Sequence, residues 1–350
     1  MGCRKLLGVF EMRVRLKDIA EDLNLSKMTI SKVLRGQTDI SDETKARVLK
    51  RVKELKYIPN ISASSLRTGQ TKTMGLILPS IGRPYLSEIA AGIHFAVFAE
   101  GYGLIVSTSQ EDIDNEQRQI EIFLSLQVDA LILISLQETG TFFEQMQRSK
   151  RMPIIFVDRR PPEAIDSYVG VHDEEVGRLA CEHLIQAGCR RIAYLRGART
   201  AAGDLRARGY RQALTEQGLT IQPDLVMESM HPEESEYQRG FETMVRLLNR
   251  RGRPDGVMAN SDMMAVGAMD AASSHGIRIP EDMRFVGCGD DPLLCGMRIP
   301  LTSINIGGRE LGMKAGQLAL AAINSGNSRR PQRVLLRPKL VKRRSSERQR

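Results

Sequence analysis

Between residues 73 and 340 the chain alternates short apolar runs with longer amphipathic stretches, and that rhythm constrains its fold more than any other feature. The runs are "MGLILPS", "LIVSTS", "ALILIS", "PIIFVD", "RIAYLRG", "DGVMAN" and "RFVGCG". Between most of them lie helical patterns such as "LSEIAAGIHFAVFAEGY" and "EEVGRLACEHLIQAG". Strand, helix, strand at this pace means α/β architecture, with parallel sheets covered by helices on both faces. More than six such units over about 270 residues point to two similar lobes. Ligands of such sheets bind at the carboxyl ends of the strands, so a cleft between lobes is lined by the residues leaving them. Those are Ser80 and Tyr85 after the first strand, Asp158 after "PIIFV", Arg206 in the helix after "RIAYLRG", Ser261 and Asp262 after "GVMAN", and Asp290 after "RFVGCG".

The first sixty residues follow another pattern. Leu16, Ile19, Ala20 and Leu23 form one apolar stripe at helical spacing, and Asn24 suits a left-handed turn. Ser26 can cap a second short helix, because its hydroxyl can accept an orphaned backbone N–H two or three residues on. In that helix Ile30, Val33 and Leu34 face inward, leaving Met28, Ser31, Lys32 and Arg35 on the other side with Lys27 at the edge. Ser41 caps a third helix, with Val48, Leu49, Val52 and Leu55 expected to face in. Such a helix-turn-helix can place its short second helix in the ~12 Å major groove of DNA, where base edges are distinguishable. Lys32 would donate to guanine, Met28 would meet a thymine methyl, and Ser31 or Thr29 would bind phosphate. The same spacing also describes a small bundle with a solvated lysine face.

Charge placement separates these regions. Residues 1 to 72 hold 16 Lys/Arg against 8 Asp/Glu, and residues 329 to 350 hold 10 against 1, whereas the stretch between has 25 against 33. A basic head on an acidic body fits a nucleic-acid reader joined to a second module. The end "KRRSSERQR" reads as a basic disordered tail, 341–350, and residues 1–13 as a disordered leader, with Met1 or Met12 as the start. No apolar run approaches the ~18 residues of a membrane span. The five cysteines show no paired spacing, so a reduced, cytoplasmic chain is expected. Cys288 and Cys295 lack a third metal ligand, the five histidines are scattered, and no phosphate loop, GxSxG or HExxH occurs. Neither an enzyme, a cofactor nor a metal is expected, and a secreted solute-binding protein would need a signal sequence.

"LKDIAEDLNLSKMTISKVLRG", followed by "ISDETKARVLKRVKELKYIPN" and "SASSLRTGQTKTMGLILPSI", resembles the lactose/galactose repressor (LacI/GalR) family of bacterial transcription regulators, over roughly residues 15 to 340. The resemblance implies base-reading roles for Lys27, Met28 and Lys32, and backbone-contacting roles for Thr29, Ser31, Tyr57 and Asn60. It implies a hinge helix within 60–72 whose Leu66, with Ala63 one turn before it, enters the minor groove; bending the duplex offsets the unstacking cost. The implied domains are a DNA-binding head over 1–59, that hinge, and a two-lobed effector-binding and dimerisation core over 73–340 that looks like a periplasmic sugar-binding protein. Arg206 then matches an arginine that holds effector polar groups, and Asp158 an aspartate used for sugar hydroxyls.

One departure stands out: in "VGCGDDP", Cys288 replaces a usual aromatic residue and Gly289 the first of two aspartates, while Asp290 keeps the second. With no Trp and 5% aromatics, an ordinary hexose effector is poorly provided for. One short helix contacts few base pairs, so a homodimer on a pseudo-palindromic operator is expected, acting as a repressor. Past the last core strand, "RVLLRPKLVKR", no leucine heptad would join dimers into tetramers.

Overall fold

The computed structural model describes residues 14–34, 37–57, 69–149, 152–197, 200–230, 234–325 and 330–347. The chain divides into two compact units, Met1–Thr71 and Lys72–Arg350.

In the first unit, α1 (Leu16–Leu23), α2 (Lys27–Leu34) and α3 (Asp42–Glu54) close on Ile19, Ala20, Ile30, Val33 and Val48. Local chemistry sets each boundary. Asp18 accepts the N–H of Arg15 at 2.7 Å, and Asn24 takes the left-handed conformation at φ 54° that ends α1. Ser26 Oγ accepts the N–H of Thr29 at 3.0 Å, and Ser41 Oγ that of Thr44 at 3.4 Å. Arg51 pairs with Asp22, tying α3 to α1. Leu49 departs from the sequence expectation: it is 52% exposed, because the buried stripe of α3 runs through Val48, Val52 and Leu55 and Leu49 lies a quarter-turn off it.

Among its described residues the second unit has two six-stranded sheets. Its elements are β1 (Thr73–Leu78), α4 (Pro84–Phe98), β2 (Gly103–Thr108), α5 (Ile113–Ser125), β3 (Ala130–Leu133), α6 (Thr141–Ser149), β4 (Ile154–Val157), β5 (Ser167–Val171), α7 (Asp173–Gln186), β6 (Ile192–Gly197), α8 (Ala201–Glu216), β7 (Val226–Glu228), α9 (Glu236–Leu248), β8 (Gly256–Ala259), α10 (Asp262–Ser274), β9 (Arg284–Cys288), β10 (Thr302–Asn305), α11 (Gly308–Asn324), β11 (Arg333–Leu336) and β12 (Lys339–Val341). The first sheet runs β11-β5-β4-β3-β1-β2 and is parallel throughout. The second runs β12-β10-β9-β8-β6-β7 and is parallel except for β12 against β10. The chain passes between lobes after β5, returns after β10 to build α11 and β11, and passes back for β12.

"RVLLRPKLVKR", read as one last strand, is thus two strands in two different sheets. The expected disordered tail also needs correcting. Its residues through Glu347 pack on the second sheet: Phe285 N–H donates to Ser345 O at 2.9 Å, Ser345 Oγ donates to Phe285 O at 2.7 Å, and Thr302 N–H donates to Ser345 Oγ at 2.8 Å. Ser346 Oγ lies 2.6 Å from Thr302 Oγ1 and 2.7 Å from His183 Nε2. Both serines are buried, and their hydrogen bonds outweigh the solvation that the surrounding arginines favour.

Two glycines fix the approach of α7 to α8. A Cβ on Gly209 would overlap the carbonyl oxygen of Glu174, and one on Gly177 would overlap that of Arg206. This contact brings the Arg206 side chain against Asp173 at the start of α7.

Candidate DNA-reading helix and interlobe cavity

On α2 the division between buried and offered side chains is sharp. Ile30 is fully buried and Val33 nearly so, whereas Met28 is 69% exposed and Lys27 is exposed beside it. Lys32 is half-buried and pairs with Asp39 in the loop that follows. Thr29 Oγ1 lies 2.8 Å from Ser26 Oγ, within the cap of the helix. Ser31 is half-buried. Tyr57 is half-buried against the core of the head, with its N–H donating to Val52 O at 3.0 Å. Asn60, Ala63 and Leu66 lie outside the described residues.

In the core, a cavity of about 710 Å³ is lined from both lobes. Tyr85, Asp158, Arg206, Ser261, Asp262 and Asp290 all line it; Ser80 does not, and its hydroxyl accepts the N–H of Gly82 at 3.1 Å. The first lobe contributes Tyr85 from the first turn of α4 and Asp158 from the end of β4, joined by Tyr85 Oη donating to Asp158 Oδ1 at 2.8 Å. Burial and the Asp158 carboxylate push the Tyr85 phenol well above its ordinary value, so it remains a donor. Asp158 has φ 61°, and its carbonyl accepts Tyr168 Oη at 2.9 Å.

The second lobe contributes Arg206, only 6% exposed. Its Nε donates to Asp173 Oδ1 at 2.8 Å and its Nη1 to Asn260 O at 2.9 Å. Burial raises the Asp173 carboxyl above its ordinary range, and the Arg206 charge opposes that rise. Ser261 caps α10 by accepting the N–H of Met264 at 3.3 Å. Asp262 accepts Ser303 Oγ at 2.5 Å and the N–H of Asp291 at 2.8 Å, and burial pushes its carboxyl up to about 6. Asp290 is engaged by Asn305 Nδ2 at 2.8 Å and by Arg343 Nη2 of the C-terminal segment at 2.6 Å. Gly289, at φ 136°, leaves bare backbone where a side chain would reach Asp262.

Sequence reasoning missed a set of charged groups in the same lining. Glu111 pairs with Arg83 at 2.9 Å and with Arg159 at 3.3 Å. Glu236 lies 3.7 Å from both Arg83 and Arg239, so the Arg83 contact joins the two lobes. Glu111 and Arg159 follow β2 and β4, and the strand-end rule applied one residue further would have found Arg159. Arg239 sits on α9, away from any strand end. Its only signal is an arginine on the stripe that also carries Thr243 and Leu247, both buried.

A helix-turn-helix head on a two-lobed α/β core with an interlobe cavity defines a ligand-responsive DNA-binding regulator. Residues 15–60 match the family described as bacterial regulatory proteins, lacI family, and residues 181–346 match the periplasmic binding protein-like domain. The ribose operon repressor of Escherichia coli strain K12 is 31% identical over 333 residues, spanning 95% of this chain and 99% of the relative. The HTH-type transcriptional repressor PurR of Pasteurella multocida is 29% identical over 331 residues, spanning 94% and 98%. A lac repressor dimer bound to operator and the anti-inducer ONPF superimposes with a TM-score of 0.84 at 27% identity, covering 95% of this chain and 99% of that one. The chain belongs to the LacI family. It is a DNA-binding transcription regulator, and members of this family are not enzymes.

Proposed function

We propose that this protein is a repressor that reads a pseudo-palindromic operator as a homodimer in the cytoplasm, with its operator affinity set by a small molecule held in the interlobe cavity. The observation that carries this reading is the split on α2, where a capped helix buries Ile30 and Val33 and offers Lys27 and Met28, with the half-buried Lys32 on Asp39 one turn on. Lys27, Met28 and Lys32 read bases, while Thr29, Ser31, Tyr57 and Asn60 hold phosphates. The relatives named as repressors, and the lac repressor dimer on its operator, support the direction of control and the stoichiometry. The first lobe supplies a surface for a second copy: Ile105 and Val106 on edge strand β2, with Phe95, Phe98 and Ile122 on the flanking helices and Leu126 at the end of α5, are exposed large apolar side chains. Among the described residues no helix is long and apolar enough to cross a membrane.

Ala63 and Leu66 form the minor-groove wedge of the hinge in this reading. Leu66→Ala is expected to weaken specific binding while leaving random-sequence binding nearly unchanged, as measured by fluorescence anisotropy at fixed salt. Equal losses on both duplexes would remove the wedge.

Tyr85, Asp158, Arg206, Ser261, Asp262 and Asp290 are the effector residues of the proposal, without Ser80, which lies off the lining, and with Arg206 central because Asp173 and Asn260 hold its guanidinium at the lining. Tyr85 is the one aromatic side chain of the lining among the described residues, and its hydroxyl is already given to Asp158. That favours a ligand bound through hydrogen bonds over one stacked on rings. Arg206→Ala is expected to erase the ligand-dependent change in operator affinity, which spans about 5- to 150-fold for couplings of ordinary size. An unchanged response would take Arg206 out of the site. Because the substitution leaves Asp173 buried without its partner, Arg206→Lys and an unliganded melting curve separate lost binding from lost folding.

A further inference from the structure

We propose that Arg239 selects effectors that carry an oxyanion, a carboxylate or a phosphate, within the interlobe cavity. This rests on the reading of that cavity as the effector site and specifies the chemistry it accepts.

Arg239 is 7% exposed and lines the cavity from α9. Its Nε has no hydrogen-bond partner among the described residues. The carboxylate beside it, Glu236, stands 3.7 Å from Nη2, beyond hydrogen-bond length, and is shared with Arg83 at the same distance. A guanidinium cannot shed its proton in a protein, so a buried one needs either an anion or a full set of acceptors.

Several of the other charged groups of the lining are engaged by the protein, and Arg309 is exposed. Arg206 gives its Nε to Asp173 and its Nη1 to Asn260, and Arg83 and Arg159 share Glu111. Asp158, Asp262 and Asp290 each accept hydrogen bonds from the protein. Glu88 is half-buried and Glu310 is exposed. Arg239 therefore remains as a buried cation of the lining with an unpartnered Nε and its nearest carboxylate beyond hydrogen-bond length. An oxyanion can take two parallel N–H bonds from such a fork and supply the missing charge, whereas a neutral hydroxyl supplies neither.

The test is a thermal-shift titration of the full chain with matched probes. D-gluconate, D-glucuronate and D-galacturonate form the carboxylate arm, D-glucose 6-phosphate and D-ribose 5-phosphate the phosphate arm, and D-glucose, D-galactose and D-ribose the neutral controls. At least one charged probe is expected to raise the midpoint while its neutral parent does not, and the responding arm identifies the oxyanion. Arg239→Gln is expected to weaken that probe on the order of 10- to 100-fold, with Arg239→Lys intermediate because it keeps the charge and loses the fork. If Arg239→Gln lowers the unliganded midpoint, the comparison is made with Arg239→Lys. Neutral parents that bind as tightly as the charged probes, or variants that keep the wild-type preference, would overturn the anion proposal and leave the cavity reading standing. Silence from every probe, neutral and charged, would overturn both.

Discussion

A chain ending after Val341 is expected to lose on the order of 5 kcal/mol of stability, a large part of what an ordinary domain has. The loss follows from what residues 342–347 satisfy. Ser345 exchanges backbone and side-chain hydrogen bonds with Phe285 and Thr302, Ser346 joins Thr302 to His183, and Arg343 pairs with Asp290. Removing them leaves several buried donors and acceptors unpaired, and each such group costs about 1–3 kcal/mol. Urea unfolding followed by circular dichroism measures the effect, and Ser346→Ala alone is expected to cost about 1–2 kcal/mol by the same reasoning. A truncated chain with an unshifted midpoint would mean that the basic end contributes nothing to the fold.

The second large effect is expected at Lys32. Lys32→Ala should weaken operator binding on the order of 10- to 100-fold and flatten the preference at the base it reads, since a good base contact discriminates by about 1–3 kcal/mol. In the free head Lys32 pairs with Asp39, so binding must exchange one partner for another. A loss of equal size on operator and random DNA would reduce Lys32 to a phosphate contact.

Most of the head was legible because its determinants are local. Ser26 caps within three residues, Asn24 turns the chain by its own φ, and the stripe through Ile19, Ile30 and Val33 follows from spacing. Leu49 escaped because it stands a quarter-turn off the stripe through Val48, Val52 and Leu55. In the second unit the seven apolar runs became seven strands, but β5, β7, β10, β11 and β12 were not foreseen as separate strands. Of these, β11 completes its sheet against β5, more than 160 residues earlier, and no local pattern reports that pairing. The C-terminal segment misled for the same reason. Its arginines read as solvated, while the two serines that bury it have no signal until Thr302, Phe285 and His183 are in place.

The cavity was half legible. The strand-end rule located Tyr85, Asp158, Ser261, Asp262 and Asp290 at the lining, because the fold itself sends those loops to one place. It could not show that Asp290 is committed to Arg343, or that Arg206 needs Asp173 from another helix. Nor could it find Arg239, which reaches the cavity from a helix stripe otherwise built of packing residues.

The central claim is that α2 reads sequence in a symmetric dimer, and selection of binding sites from random duplex DNA by the full chain tests it most directly. The expected result is an enriched pool dominated by two inverted half-sites at a fixed spacing, with Lys32→Ala losing preference at the same position in both halves. A pool with no shared sequence, or one with a single half-site and no inverted partner, would contradict it.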